Sequence, residues 1–139
     1  MQLATVRAIA VICLIGLAVV ANACSTEDPT KVAALNQEGM ADLQLPGAVR
    51  IDRREIQAES GIAKPGLASI LQVYRPEAST LAEVEAAALK AAEAAGWKME
   101  DLTTAWQGRK STPAGTVKLG VSTSERDGQD TVVVSLRIE

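Results

Sequence analysis

The residues of this chain able to do covalent or metal chemistry form a short set. There are two cysteines, no histidine and 17 acidic side chains in 139 residues. Without histidine, neither a Ser-His-Asp nor a Cys-His arrangement is possible, and a His-based zinc site is excluded. A cysteine nucleophile needs a neighbouring base to form its thiolate. Cys24, in the run Val20-Ala21-Asn22-Ala23-Cys24-Ser25, has none in its vicinity. Lys110-Ser111 lacks the signature of a Ser-Lys hydrolase, and Gly115 and Gly120 lack the Lys-Ser/Thr of a phosphate loop. Glu100 and Asp101 are adjacent, so on a strand they point to opposite faces and cannot share a substrate. Glu125, Asp127 and Asp130 surround a turn without the spacing of a calcium loop, and are expected to be solvated. The expectation is a protein with no catalytic residues, no metal and no cofactor.

Cys24 is set apart by its position rather than its reactivity. Arg7 is followed by a run of about 14 apolar residues, Ala8 to Ala21, which is short of the roughly 20 that span a bilayer. It fits the core of a signal peptide with small residues at the cut. Ala21-Asn22-Ala23 leading into Cys24 resembles a bacterial lipoprotein signal, in which the cysteine is lipidated and becomes the new N-terminus. The resemblance implies cleavage between Ala23 and Cys24, and a diacylglyceryl group on the Cys24 sulfur. Cys13 would leave with residues 1–23, so Cys24 has no internal disulfide partner. Two acyl chains supply the two hydrophobic signals that stable anchoring requires. Secretion with a free Cys24 thiol and an uncleaved hydrophobic anchor are the competing readings.

Charge narrows the partners. The chain carries 14 basic and 17 acidic side chains, for a net charge of −3, and residues 1–23 contribute only Arg7. A nucleic acid would be repelled overall, and no dense basic cluster offsets this. Trp106 lies near Arg109 and Lys110, a combination common at recognition spots, although it also suits a second core tryptophan. Arg53-Arg54 could meet an acidic partner, or simply protect an edge strand. Trp106, Arg109, Arg53 and Arg54 are thus the candidate partner-binding residues.

These residues must be positioned by a small aliphatic domain, since Trp97, Trp106 and Tyr74 are the only aromatics. Residues 24–45 are polar, interrupted by Pro29, and weakly periodic, which predicts a lipidated cysteine followed by a flexible tether. A single domain is expected over 46–139. Ala48 to Ile56 alternates, with Val49 and Ile51 on one side and Arg50 and Asp52 on the other, as an edge strand does. Leu67 to Tyr74 follows a loop marked by Gly61, Pro65 and Gly66, and reads as a more buried strand.

From Thr80 to Ala95 the pattern is helical. Thr80 and Glu83 have capping-box spacing, and Leu81, Val84, Ala88, Ala92 and Ala95 share one face. Gly96 suits the left-handed position that ends a helix. Three β-prone stretches come next: 97–111, bent or divided in two; 116–124; and 131–139. Asp127-Gly128 makes a hairpin turn between the last two. The expected fold is α+β, a two-layer sandwich of one long helix (about 80–95) on a mainly antiparallel sheet of four to five strands. An alanine helix ending in Gly96-Trp97 before a strand meander resembles small Ala-rich lipoproteins of high-GC bacteria.

The expected function is that of a lipid-anchored, extracytoplasmic cell-envelope protein. It would be a non-enzymatic binding or accessory module, meeting the membrane through Cys24 and an envelope protein or cell-wall component through its domain. A carboxylate-dependent cell-wall enzyme would need two carboxyl groups about 5–9.5 Å apart across a cleft. A small-ligand carrier would need an apolar cavity that the alanine stripe disfavours.

Overall fold

The computed structural model describes residues 26–60 and 67–139. The expected leader, the Ala23/Cys24 cleavage position, lipidation at Cys24 and the Gly61–Gly66 loop lie outside them.

Ten elements follow in order: β1 (Thr26–Asp28), α1 (Pro29–Asn36), β2 (Ala48–Ile56), β3 (Ala58–Ser60), β4 (Ala68–Pro76), α2 (Leu81–Ala94), β5 (Glu100–Asp101), β6 (Trp106–Thr112), β7 (Gly115–Arg126) and β8 (Gln129–Ile138). Six strands form one antiparallel sheet in the order β2-β4-β8-β7-β6-β5, while β1 and β3 pair as a separate two-stranded ribbon. The expectation of one long helix on four to five strands is therefore overturned. The body is mainly a six-stranded sheet, and two short helices of 8 and 14 residues pack on it. The sheet gained a strand because Glu100 and Asp101 add a short rung to Trp106 and Gln107.

The second helix comes from the segment expected to be a tether. Val32 and Leu35 on α1, and Met40, Ala41, Leu43 and Leu45 after it, are all buried in the main core. Residues from about 30 onward thus belong to the packed body. What fixes them is a polar network on the sheet. Gln72 is fully buried; its amide donates to the Met40 carbonyl (2.7 Å) and its oxygen accepts from the Leu43 N–H (3.1 Å). The Tyr74 hydroxyl lies 2.6 Å from the Leu43 carbonyl and 2.8 Å from the Gln72 oxygen. Burial pushes the Tyr74 pKa up to about 12. Buried polar groups satisfied in this way lock one register rather than add a large net stabilisation.

α2 is determined locally. The Thr80 hydroxyl accepts from the Glu83 N–H (3.3 Å), and the Glu83 carboxylate accepts from the Thr80 N–H (2.7 Å). At the other end Gly96 has φ +84°, and the N–H groups of Gly96 and Trp97 donate to the carbonyls of Glu93 and Ala92. These are the two bonds of a Schellman motif. Lys110 reinforces it: its ammonium donates to the Ala95 carbonyl (3.3 Å) and to Glu38 (3.0 Å), and stands 4.6 Å from the Trp97 ring centre. A cation at a helix C-terminus over an aromatic face gains from both the dipole and the ring.

On the sheet, Val117, Leu119 and Val121 of β7 and Val132, Val134, Leu136 and Ile138 of β8 face the helices and are buried. The expected alternation of β2 is broken. The register with β4 shifts between Arg50 and Asp52, so Arg50 lies opposite Tyr74 on the helix side and Asp52 lies opposite Val73 on the other. One extra residue in a strand reverses the faces that follow it. Val49 and Ile51 are left exposed at 41% each.

Candidate functional site

Both helices cover one face of the sheet, and the core lies between them and it. Among the described residues, no helix lies over the opposite face. Strand pairing assigns its residues, because partners in register share a face. Ser69, Leu71 and Val73 on β4 align with Arg137, Ser135 and Val133 on β8, and these with Lys118, Gly120 and Ser122 on β7. The centre is made of small and aliphatic side chains, most of them half-buried. Gly120 leaves room for the Ser135 hydroxyl, which a Cβ there would approach to 2.7 Å.

Long side chains meet across the uncovered face. Asp52 on β2 and Arg126 near the tip of the β7–β8 hairpin both project from it and are three strands apart in the sheet order. Arg126 Nη1 lies 2.9 Å from Asp52 Oδ2, so the pair bridges the edge strand and the hairpin tip. Asp52 also receives Arg54 at 2.9 Å. The Arg126 and Arg54 guanidinium groups hold the Asp52 carboxyl below its ordinary pKa. At its tip the hairpin turns through Asp127 (φ +54°) and Gly128 (φ +74°), the mirror-image turn that matches strand twist.

The sequence-derived candidates are divided between the two faces. Trp106 lies opposite Val121 on the helix side, half-buried, and its indole N–H donates to Glu85 at 3.1 Å. Arg109 lies opposite Lys118 on the uncovered face and is exposed. The structure therefore separates the expected Trp106–Arg109 pair. Arg53 also belongs to the helix side, where it donates to Glu55 (2.7 Å), Asn36 (2.7 Å) and the Ala41 carbonyl (3.3 Å). It clamps the segment after α1 to the edge strand. Arg54 remains on the uncovered face, paired with Asp52.

One feature of this face was missed in the sequence. Arg109, Lys118 and Arg137 lie side by side on β6, β7 and β8. Adjacent like charges repel. The Lys118 ammonium is ion-paired with Glu139, and all three cations, with the Lys118 hydrogen bond foremost, hold the Glu139 carboxyl below its ordinary pKa. Arg109 and Arg137 make no ion pair among the described residues. Beside Arg109 a groove of about 400 Å³ opens between Lys98, Glu100, Leu102 and Gln107, with Gly108 as its floor.

Among the described residues no group of three or more Asp, Glu, Cys or His side chains is placed to hold a metal ion, and no helix is long and apolar enough to cross a membrane. Comparison of the chain with protein-family models, with curated proteins and with solved structures finds no match.

Proposed function

We propose that this chain is a lipid-anchored cell-envelope protein whose sheet works as a non-enzymatic binding module. The anchoring part rests on the Ala21-Asn22-Ala23-Cys24 pattern after an apolar run. The binding part rests on one observation: among the described residues, the six-stranded sheet carries helices on one side only and its other side is left uncovered. A sheet needs only one buried face for stability. On the second face Leu71, Val73 and Val133 lie among serines at the centre with charged groups around them, an apolar centre with a polar rim as recognition patches have. The partner class is an envelope protein or a cell-wall component.

Two measurements test the two parts. Mass spectrometry of the native product is expected to find a diacylglyceryl group on Cys24; a bare thiol, or a retained leader, removes the anchor. A photo-crosslinking side chain placed at Ser122 on the uncovered face should capture a specific envelope component in intact cells. The same side chain at Lys90, exposed on α2, should not. Equal capture from both positions, or none from Ser122, removes the binding surface.

A further inference from the structure

Three cations of the uncovered face lie in one row at one end of the sheet. Pairing continues the row Arg109–Lys118–Arg137 through Ser69 on β4 to Ile56 on β2. Adjacent strands lie about 4.8 Å apart, so the three cations span about 10 Å. Ile56 is 52% exposed, and Leu67, next to the start of β4, is 36% exposed. A line of positive charge beside protruding aliphatic side chains has the chemistry of an interfacial membrane contact, in which the aliphatic groups enter the headgroup region and the cations meet phosphates.

The chain's route identifies which surface this end would face. β3 follows β2 immediately beyond Ile56, and β1 pairs with it, Thr26 opposite Ser60 and Asp28 opposite Ala58. Thr26 therefore lies at the end of the sheet that carries the cations, two positions after Cys24. A lipid on Cys24 would bring that end toward the bilayer, because so few residues separate the anchor from the paired strand.

We infer that Arg109, Lys118 and Arg137, with Ile56 and Leu67, form a contact for anionic phospholipid headgroups of the membrane that holds the chain. This deepens the anchoring reading and rests on it for the orientation. The contact would hold the domain against the bilayer in a fixed pose, where a lipid alone leaves it free to tumble. The row costs stability through repulsion between neighbours, and an anionic surface relieves that repulsion. Glu139 would exchange its bond with Lys118 for solvent as phosphates take its place.

The experiment uses the full chain carrying Cys24→Ala, recovered in soluble form, so that no acyl chain masks the contact. Cosedimentation is measured with vesicles of phosphatidylcholine alone, and with vesicles containing about one-third phosphatidylglycerol. Each cation near an anionic surface contributes roughly fivefold to binding. The variant also carrying Arg109→Gln and Arg137→Gln should thus bind the anionic vesicles about 25-fold less well, at a melting temperature no lower than its parent's. Neither arginine has a salt bridge to lose. Ile56→Ser should weaken binding to the same vesicles by a few fold.

Equal binding to the two vesicle types overturns the inference, as does a double variant that binds like its parent. Full competition by inorganic phosphate at about 5 mM would mark the row as a site for a discrete phosphate and also overturn it, since a membrane surface binds through many weak contacts at once. The acylation of wild-type Cys24 is read separately by mass, so a failed anchor and a failed headgroup contact give different results.

Discussion

The two faces of the sheet solve different problems with the same strands. On β7 and β8, alternate residues go to a core where Leu119, Val134, Leu136 and Ile138 are fully buried. Their immediate neighbours, Lys118, Val133, Ser135 and Arg137, go to a face where charge and partial exposure are tolerated. The helix side is fixed by close packing and by a buried polar network. On the uncovered side long side chains meet across the sheet, as at Asp52 and Arg126. One face is committed to the core; the other keeps most of its side chains partly accessible.

That contrast would be broken most strongly by a cavity. Leu136→Ala on the helix side is expected to lower stability by about 3 kcal/mol, while Leu71→Ala on the uncovered side should cost less than about 1 kcal/mol. Urea unfolding of both variants measures the difference, and equal losses would mean that the uncovered face is part of the core.

Gln72→Leu comes next. It leaves the Met40 carbonyl and the Leu43 N–H without their buried partner, for about 2 kcal/mol. Hydrogen exchange should show residues 30–45 opening before the sheet does. Tyr74 gives this network a pH signature. Its folded pKa is raised above the ordinary value of 10 to about 12, so its contribution is complete below pH 10 and is lost as pH rises from 10 toward 12. Tyr74→Phe should remove that alkaline loss from melting curves.

The smallest effect is expected at the rim of the uncovered face. Arg126→Gln removes a partly exposed ion pair, of the kind that contributes little to stability. The Asp52 carboxyl is held below its ordinary value by Arg126 first. Its contribution is therefore present above the usual carboxylate range and lost as pH falls below about 4. The variant should show a shallower acid-side decline in melting temperature, and a slope identical to the parent's would show that the pair contributes nothing to the curvature.

Some of this was legible in the sequence because it is local. Thr80, Glu83 and Gly96 act within one or two turns of their own backbone, and the strand pairs around Asp127-Gly128 are held by their own turn. Residues 30–45 were misread for the opposite reason. Val32, Leu35, Met40, Leu43 and Leu45 sit among polar neighbours, and their burial depends on Gln72 and Tyr74, some 30 positions away. The shift between Arg50 and Asp52 left no mark in the alternating pattern, yet it decides which arginine clamps the edge and which faces out. Likewise Arg109, Lys118 and Arg137 become neighbours only through register. Separated along the chain, they read as ordinary solvated charges.

The strand order also has a consequence for how the chain reaches its final shape. β8, the last strand in chain order, is inserted between β4 and β7. During synthesis the β2–β4 hairpin waits with an open hydrogen-bonding edge, and β7 waits with another, until residues 129–138 arrive. Non-local closure of this sort slows folding, and bare edges invite pairing with other chains. An emerging polypeptide of this topology keeps both edges open until residues 129–138 are made, and only then can the middle of its sheet close.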